Sequence, residues 1–310
     1  MLKNPSERTK ALQRRSMAAG VSLIPGKTGA HRAPLQYAMT IFQHTVSQNR
    51  MDYNLSEWLN LFIRWVHVFA GILWVGQTFF FTWMDRTLER EKSLWLVHSG
   101  GFYVVEKQKL PEALPRTLHW FRWEAAVTWV SGMLLLIIVY YLGGLMENEL
   151  LGGVPISVLV GFLLLVTAWF IYEALWQSPL ARSEPVGAVV SFILFAAVVY
   201  GLTRLMNGRA AYIHVGAMLG TFMSANVWLR ILPFQRQMVA AMAKGIPPDM
   251  SLGEQAKQRT KHNNYMVVPV VFIMLSNHFP VATYGNQYNW LVLCVLSVAG
   301  GVAAKTLRSR

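Results

Sequence analysis

Residues 130–144, VSGMLLLIIVYYLGG, and residues 158–172, VLVGFLLLVTAWFIY, decide the fold. Neither run contains a charged side chain, and with its apolar flanks each approaches the roughly 18 residues that a helix needs to cross a bilayer. Working outward from these two, further apolar segments with aromatic or charged ends fall at 57–83, 185–206, 210–232, 264–280 and 288–305, and the two runs themselves extend to 120–145 and 154–176. The pattern predicts an all-α, polytopic transmembrane helix bundle of about seven spans. No ten-residue alternation of the kind that builds a membrane β-barrel is present.

Composition agrees. Of the 310 residues 54% are hydrophobic and 14% charged, against roughly a quarter charged in soluble domains. The net charge of +13 would suggest nucleic acid in a soluble protein. Here Lys and Arg cluster between the apolar segments, where they set orientation in the lipid bilayer, so a nucleic-acid partner is excluded. The connections 84–118 and 233–263, together with Arg182 and the C-terminal Lys305, Arg308 and Arg310, hold fifteen basic residues, whereas the opposite loops hold Arg204 and Arg209. That bias predicts the N-terminal end of the bundle outside and the C-terminus in the cytoplasm.

The N-terminal 50 residues contain eight Lys or Arg and one Glu, with no apolar core of a secretory signal. We expect residues 1–50 to be a disordered or mis-annotated extension, with Met51 as an alternative start, and residues 51–310 to form the transmembrane helical domain. Cys294 is the single cysteine, which rules out an internal disulfide, a thiolate-rich metal site and covalent haem attachment through CxxCH.

Ionisable side chains inside spans are costly and mark function by default. In the first span Asn60, Arg64, His67, Gly71, Trp74 and Thr78 alternate at spacings of 4 and 3 and so share one helix face, and His214, Ala217, Thr221, Ser224 and Trp228 repeat the pattern in the fifth. His67, His214 and His278 are expected in the outer half of the membrane, the first two as axial ligands of the iron of a b-type haem, since facing imidazoles in a bundle hold that cofactor. The alternative for these histidines is interhelical hydrogen bonding.

A second group is expected at the cytoplasmic end. His119, His262 and Glu106 are candidates to move protons, and Arg122, Arg236, Arg259 and Asn263 to hold a flat anionic heterocycle through paired hydrogen bonds. The competing reading is a basic face against anionic lipid. Glu173, Asn226 and Arg230 are further buried polar groups, for which a proton path or a structural ion pair would account.

Six strings in order, RWVHVFAGILWVGQTFFFTWMD (64–85), HSGGFYVVEK (98–107), LHWFRWEAAVTWVSGMLLLIIVYYL (118–142), HVGAMLGTFMSANVW (214–228), QRTKHNNYMVVPVVFIMLSNHFP (258–280) and NWLVL (289–293), resemble the membrane domain of the bacterial cytochrome-linked urate hydroxylases. The resemblance covers about residues 55–300. It implies a membrane-bound oxidoreductase of the bacterial inner membrane, multi-pass, that oxidises urate or a similar purine anion to 5-hydroxyisourate in purine catabolism. It also implies that the electrons go to a c-type cytochrome. Because the sequence reaches Arg310 without a CxxCH motif, that acceptor is expected to be a separate cytochrome c or membrane redox complex. Two other readings stay open: a non-catalytic redox or structural subunit of a membrane electron-transfer complex, and a transporter for a purine or small anion.

Overall fold

The structure is a computed structural model that describes residues 33–146 and 154–309, with side chains described for 55–146 and 156–308. Residues 1–32 of the expected N-terminal extension lie outside the described residues; from Ala33 the chain is helical. Eight α-helices follow in order: α1 Ala33–Arg90, α2 Trp123–Leu135, α3 Val154–Gln177, α4 Glu184–Leu205, α5 Gly208–Ala225, α6 Leu232–Ala243, α7 Met250–Ser276 and α8 Asn289–Ser309. Two π-helical turns extend them, π1 (Leu136–Tyr141) after α2 and π2 (Asn226–Ile231) joining α5 to α6.

Among the described residues six helices are long and apolar enough to cross a membrane, and α1 contributes Leu55–Arg90 of its length. The expected span at 264–280 falls on the C-terminal part of α7, whose first half is too polar for the whole helix to qualify. The lipid-facing character of the bundle is visible in its surface: Trp58, Phe62, Trp65, Phe69 and Ile72 of α1 and Phe162, Phe170 and Ile193 of α3 and α4 are all exposed. Water would penalise so large a continuous apolar surface, whereas hydrocarbon does not.

The core is built around α5. Its most apolar window is 56% buried, against 6% for α1, and it touches α2, α3, α4 and α7. Tyr212, Val215 and Ala211 of α5 are fully buried, packed with Val199 of α4 and Ile273 of α7 in the main apolar cluster. Local signals set its start, where the Asn207 side chain caps the helix by accepting from Ala210 N at 2.9 Å. Glycine sets its distance from α3: a Cβ on Gly161 would lie 2.5 Å from His214 Nε2. Gly161→Ala is therefore expected to destabilise the bundle by about 1–3 kcal/mol through overpacking, read as a lower unfolding temperature in detergent.

The connections differ from the loops expected at 84–118 and 233–262. Helix α1 runs on to Arg90, and β1 (Leu94–His98) and β2 (Gly101–Val105) form an antiparallel hairpin, closed by Ser99 and Gly100 with φ of 50° and 78°. Two consecutive positive φ values are the geometry that a two-residue hairpin turn needs. The second connection is mostly α6 and the start of α7, the latter capped by Asp249.

Candidate functional site

At one end of the bundle α3, π2 and α7 converge on a buried polar network. Glu173 is 8% exposed and is paired with Arg230 at 2.6 Å and with Arg259 at 3.0 Å. Gln177, one turn further along α3, donates to the same carboxylate. A carboxylate and two guanidiniums in an apolar bundle hold one another in place, because each alone would carry a large desolvation cost. The sum is one net positive charge. Arg230 Nε and Arg259 Nη1 are buried and have no hydrogen-bond acceptor among the described residues.

The network continues through amides and rings. Asn226 Nδ2 donates to Tyr172 Oη at 3.0 Å and to Asn263 Oδ1 at 2.9 Å, and Asn263 Nδ2 donates to the Met223 carbonyl at 3.0 Å. Tyr172 Oη lies 2.7 Å from His262 Nδ1. The phenol oxygen also lies 3.4 Å from Asn226 Oδ1, so Tyr172 ties Asn226 and His262 into one hydrogen-bonded unit. Arg259 also stands over the Tyr172 ring at 5.2 Å, a cation–π contact. The side chain of Arg230 is 31% exposed, whereas that of Arg259 is 6% exposed.

Of the candidate residues, the structure brings together Arg259, His262 and Asn263. It does not bring Glu106, His119 or Arg236 to them. Glu106 is exposed just past β2, His119 is exposed with its ring 4.5 Å from that of Phe121, and Arg236 is exposed on α6. Arg122 stands over Trp123 and Trp228 at 5.4 and 5.9 Å, on the side of π2 that packs against Trp74 and Trp120. Its Nε has no partner among the described residues, and it touches no member of the Glu173 network. Tyr172 was missed in the sequence, where it reads as one more aromatic residue at the end of a span. Glu173, Asn226 and Arg230 stood out there as buried polar groups, and the ion-pair reading is the one the geometry supports.

The outer histidines serve packing. His214 Nδ1 donates to the Ala210 carbonyl at 2.8 Å, and its Nε2 meets Tyr141 Oη at 3.1 Å, with Gly161 against the ring. Both nitrogens are thus engaged. His67 Nδ1 binds the Thr128 carbonyl at 2.9 Å, and its ring rests where a Cβ on Gly132 would come within 2.9 Å. His278 is exposed in the turn after α7. A bis-histidine haem requires an open nitrogen from each partner and room for the macrocycle; His214 offers neither, so these residues do not fit the group, and no step is routed through it. Among the described residues no three His, Cys, Asp or Glu side chains stand close enough to hold a metal ion.

Fold and site together define a helical bundle of membrane-spanning character, with a buried network of one carboxylate and two guanidiniums. Its family follows from the sequence match: residues 53–310 match the urate oxidase N-terminal family, and the chain belongs to it. No curated protein and no solved structure matches the chain.

Proposed function

We propose that this protein is a membrane-embedded oxidoreductase that hydroxylates urate to 5-hydroxyisourate, with the urate monoanion held beside Arg259. The observation that carries the reading is the uncompensated charge of the Glu173 network, with two buried guanidinium N–H groups lacking acceptors. Urate is flat, carries one negative charge at neutral pH and presents carbonyl oxygens and ring nitrogens along its edge. Charge-assisted hydrogen bonds from a guanidinium suit that edge. Family membership supports the choice of substrate.

In this reading Arg259 and Arg230 hold the anion and Asn263 fixes the amide of Asn226 beside it. The Tyr172–His262 pair takes up a proton as water adds at C5 of the purine. The overall change removes two electrons and two protons from urate and water, and a c-type cytochrome is the acceptor that the family resemblance implies.

An anaerobic assay tests the proposal. Purified full-length protein with ferricytochrome c should consume urate and reduce two cytochromes per urate. If no urate disappears with ferricytochrome c, with a soluble quinone or with ferricyanide, the protein is not a urate oxidoreductase. Accumulation of intact urate inside proteoliposomes would then favour transport.

A further inference from the structure

Tyr172 and His262 also line a cavity of about 900 Å³ between α3, α4, α5, α7 and α8. Its volume is within the range of sites that hold organic ligands. Lining residues run from Trp176 to Ala168 on α3, from Lys261 to Pro269 on α7 and from Lys305 to Ser297 on α8, about 12 Å of each helix at 1.5 Å per residue. Ile171, Leu194 and Val298 line the space and are also exposed, so the cavity opens along its flank onto the apolar surface of the bundle.

The chemistry of the lining is divided along the helices. At one end, the mouth, stand Lys261, Lys305 and Glu184. Glu184 is ion-paired with Lys261, whereas Lys305 is exposed and has no ion-pair partner among the described residues. Arg308 follows Lys305 on the same face of α8 and stands over the ring of Tyr265, itself a lining residue, at 5.7 Å. Three cations and one carboxylate leave a surplus of positive charge at the mouth. Further in, the walls are apolar, with Phe192, Phe195, Phe222 and Met266 among them. The indole N–H of Trp176 is taken up by Ser191 Oγ at 3.2 Å, so that ring too offers the cavity an apolar face. A cationic mouth above an apolar shaft that opens onto hydrocarbon calls for an amphiphile with an anionic head.

We propose that the cavity binds an anionic phospholipid, with its phosphate at Lys305 and Arg308, its glycerol beside His262, and its acyl chains along the shaft and out through the flank into the bilayer. Basic pockets between membrane-spanning helices hold lipid head groups in this way. The site is independent of the urate reading and involves no redox step. His262 Nε2 takes no hydrogen bond among the described residues, and it lies at the depth of the glycerol, whose hydroxyl and ester oxygens can complete it. Net charge of the head group decides the selection: a zwitterionic head brings its own ammonium towards Lys305 and Arg308, whereas an anionic head neutralises their surplus. A free inorganic anion would meet the same cations but leave the apolar shaft unfilled. The bound lipid packs against Tyr172 and His262, so its loss should loosen the end of the Glu173 network.

The test uses the full chain purified in mild detergent, with phosphatidylglycerol and phosphatidylcholine of identical acyl chains as probes and native mass spectrometry as the readout. The expected result is retention of phosphatidylglycerol over phosphatidylcholine by about tenfold. The unfolding temperature should also rise with added phosphatidylglycerol, since a ligand bound only by the folded state stabilises it. Lys305 is exposed, so Lys305→Gln should fold as the parent does while losing most of the preference and most of the rise. Gly301 lines the cavity, and a Cβ there meets nothing within 4 Å, so Gly301→Leu intrudes into the space without a backbone clash and should lower retention of phosphatidylglycerol. Gly201 on α4 is equally open, lies outside the cavity lining and serves as control, with Gly201→Leu expected to match the parent. Equal retention of the two lipids by the parent, a preference untouched by Lys305→Gln, or retention in Gly301→Leu equal to that in Gly201→Leu overturns the site. Displacement of the bound lipid by inorganic phosphate would overturn it as well, because it would show that the mouth holds a plain anion and the shaft contributes nothing.

Discussion

Glu173→Gln is expected to unfold the bundle more readily than any other single change considered, at a cost of about 3–5 kcal/mol. The substitution keeps shape and the capacity to hydrogen-bond but removes the charge that opposes Arg230 and Arg259 at 2.6 and 3.0 Å. With its side chain only 6% exposed, the Arg259 guanidinium has little water to replace the lost counter-charge. Thermal unfolding in detergent, followed by tryptophan fluorescence, measures the loss. Adding Arg230→Gln to the same chain should recover part of it, since one fewer buried cation is left without a counter-charge. A Glu173→Gln protein as stable as the parent would show that the network is hydrated and that its ion pairs carry little.

Arg259→Gln should behave in the opposite way. The Glu173–Arg230 pair survives it and becomes electrically balanced, so the loss of stability is expected to stay below the about 3–5 kcal/mol that an unpaired buried charge costs. Urate affinity should fall by about 100-fold, because the free Arg259 Nη1 donor and the net positive charge are lost together. Equilibrium dialysis with urate, run beside the unfolding measurement, separates the two effects. Unchanged affinity in a stable Arg259→Gln protein would move the anion site elsewhere, with Arg122 beside Trp228 the next guanidinium to test.

The helices were legible because a bilayer imposes a strong rule: runs such as 158–172 cannot satisfy their backbone in lipid except as helices. α7 was harder, since Gln258, Arg259, Lys261, Asn263 and Asn264 put a polar half directly before an apolar one, and residues that read as loop are helix. The string HSGG opens one of the segments that carry the family resemblance. Its small residues supply the positive φ of a hairpin turn, a local demand that explains Ser99 and Gly100 without any ligand. Periodicity placed His67 and His214 correctly on inward faces but could not show that Gly132 and Gly161 leave room for an imidazole and no more. Arg259, His262 and Asn263 were found because a charge inside a bundle is conspicuous in sequence. Their partner Tyr172 was not, because the role of a phenol depends on what lies across the helix interface.

The π turn at Asn226–Ile231 also bears on how such chains have diverged. A π turn is an α-helix with one residue inserted, and removing that residue would rotate everything beyond it by about 100° about the axis. Arg230 would then turn away from Glu173. A lineage that lost the insertion could keep every other residue of the network and still lose its second cation. Among relatives, a one-residue gap within 226–231 is therefore expected to coincide with replacement of Glu173 or Arg259, and alignments that close the gap silently would hide that change.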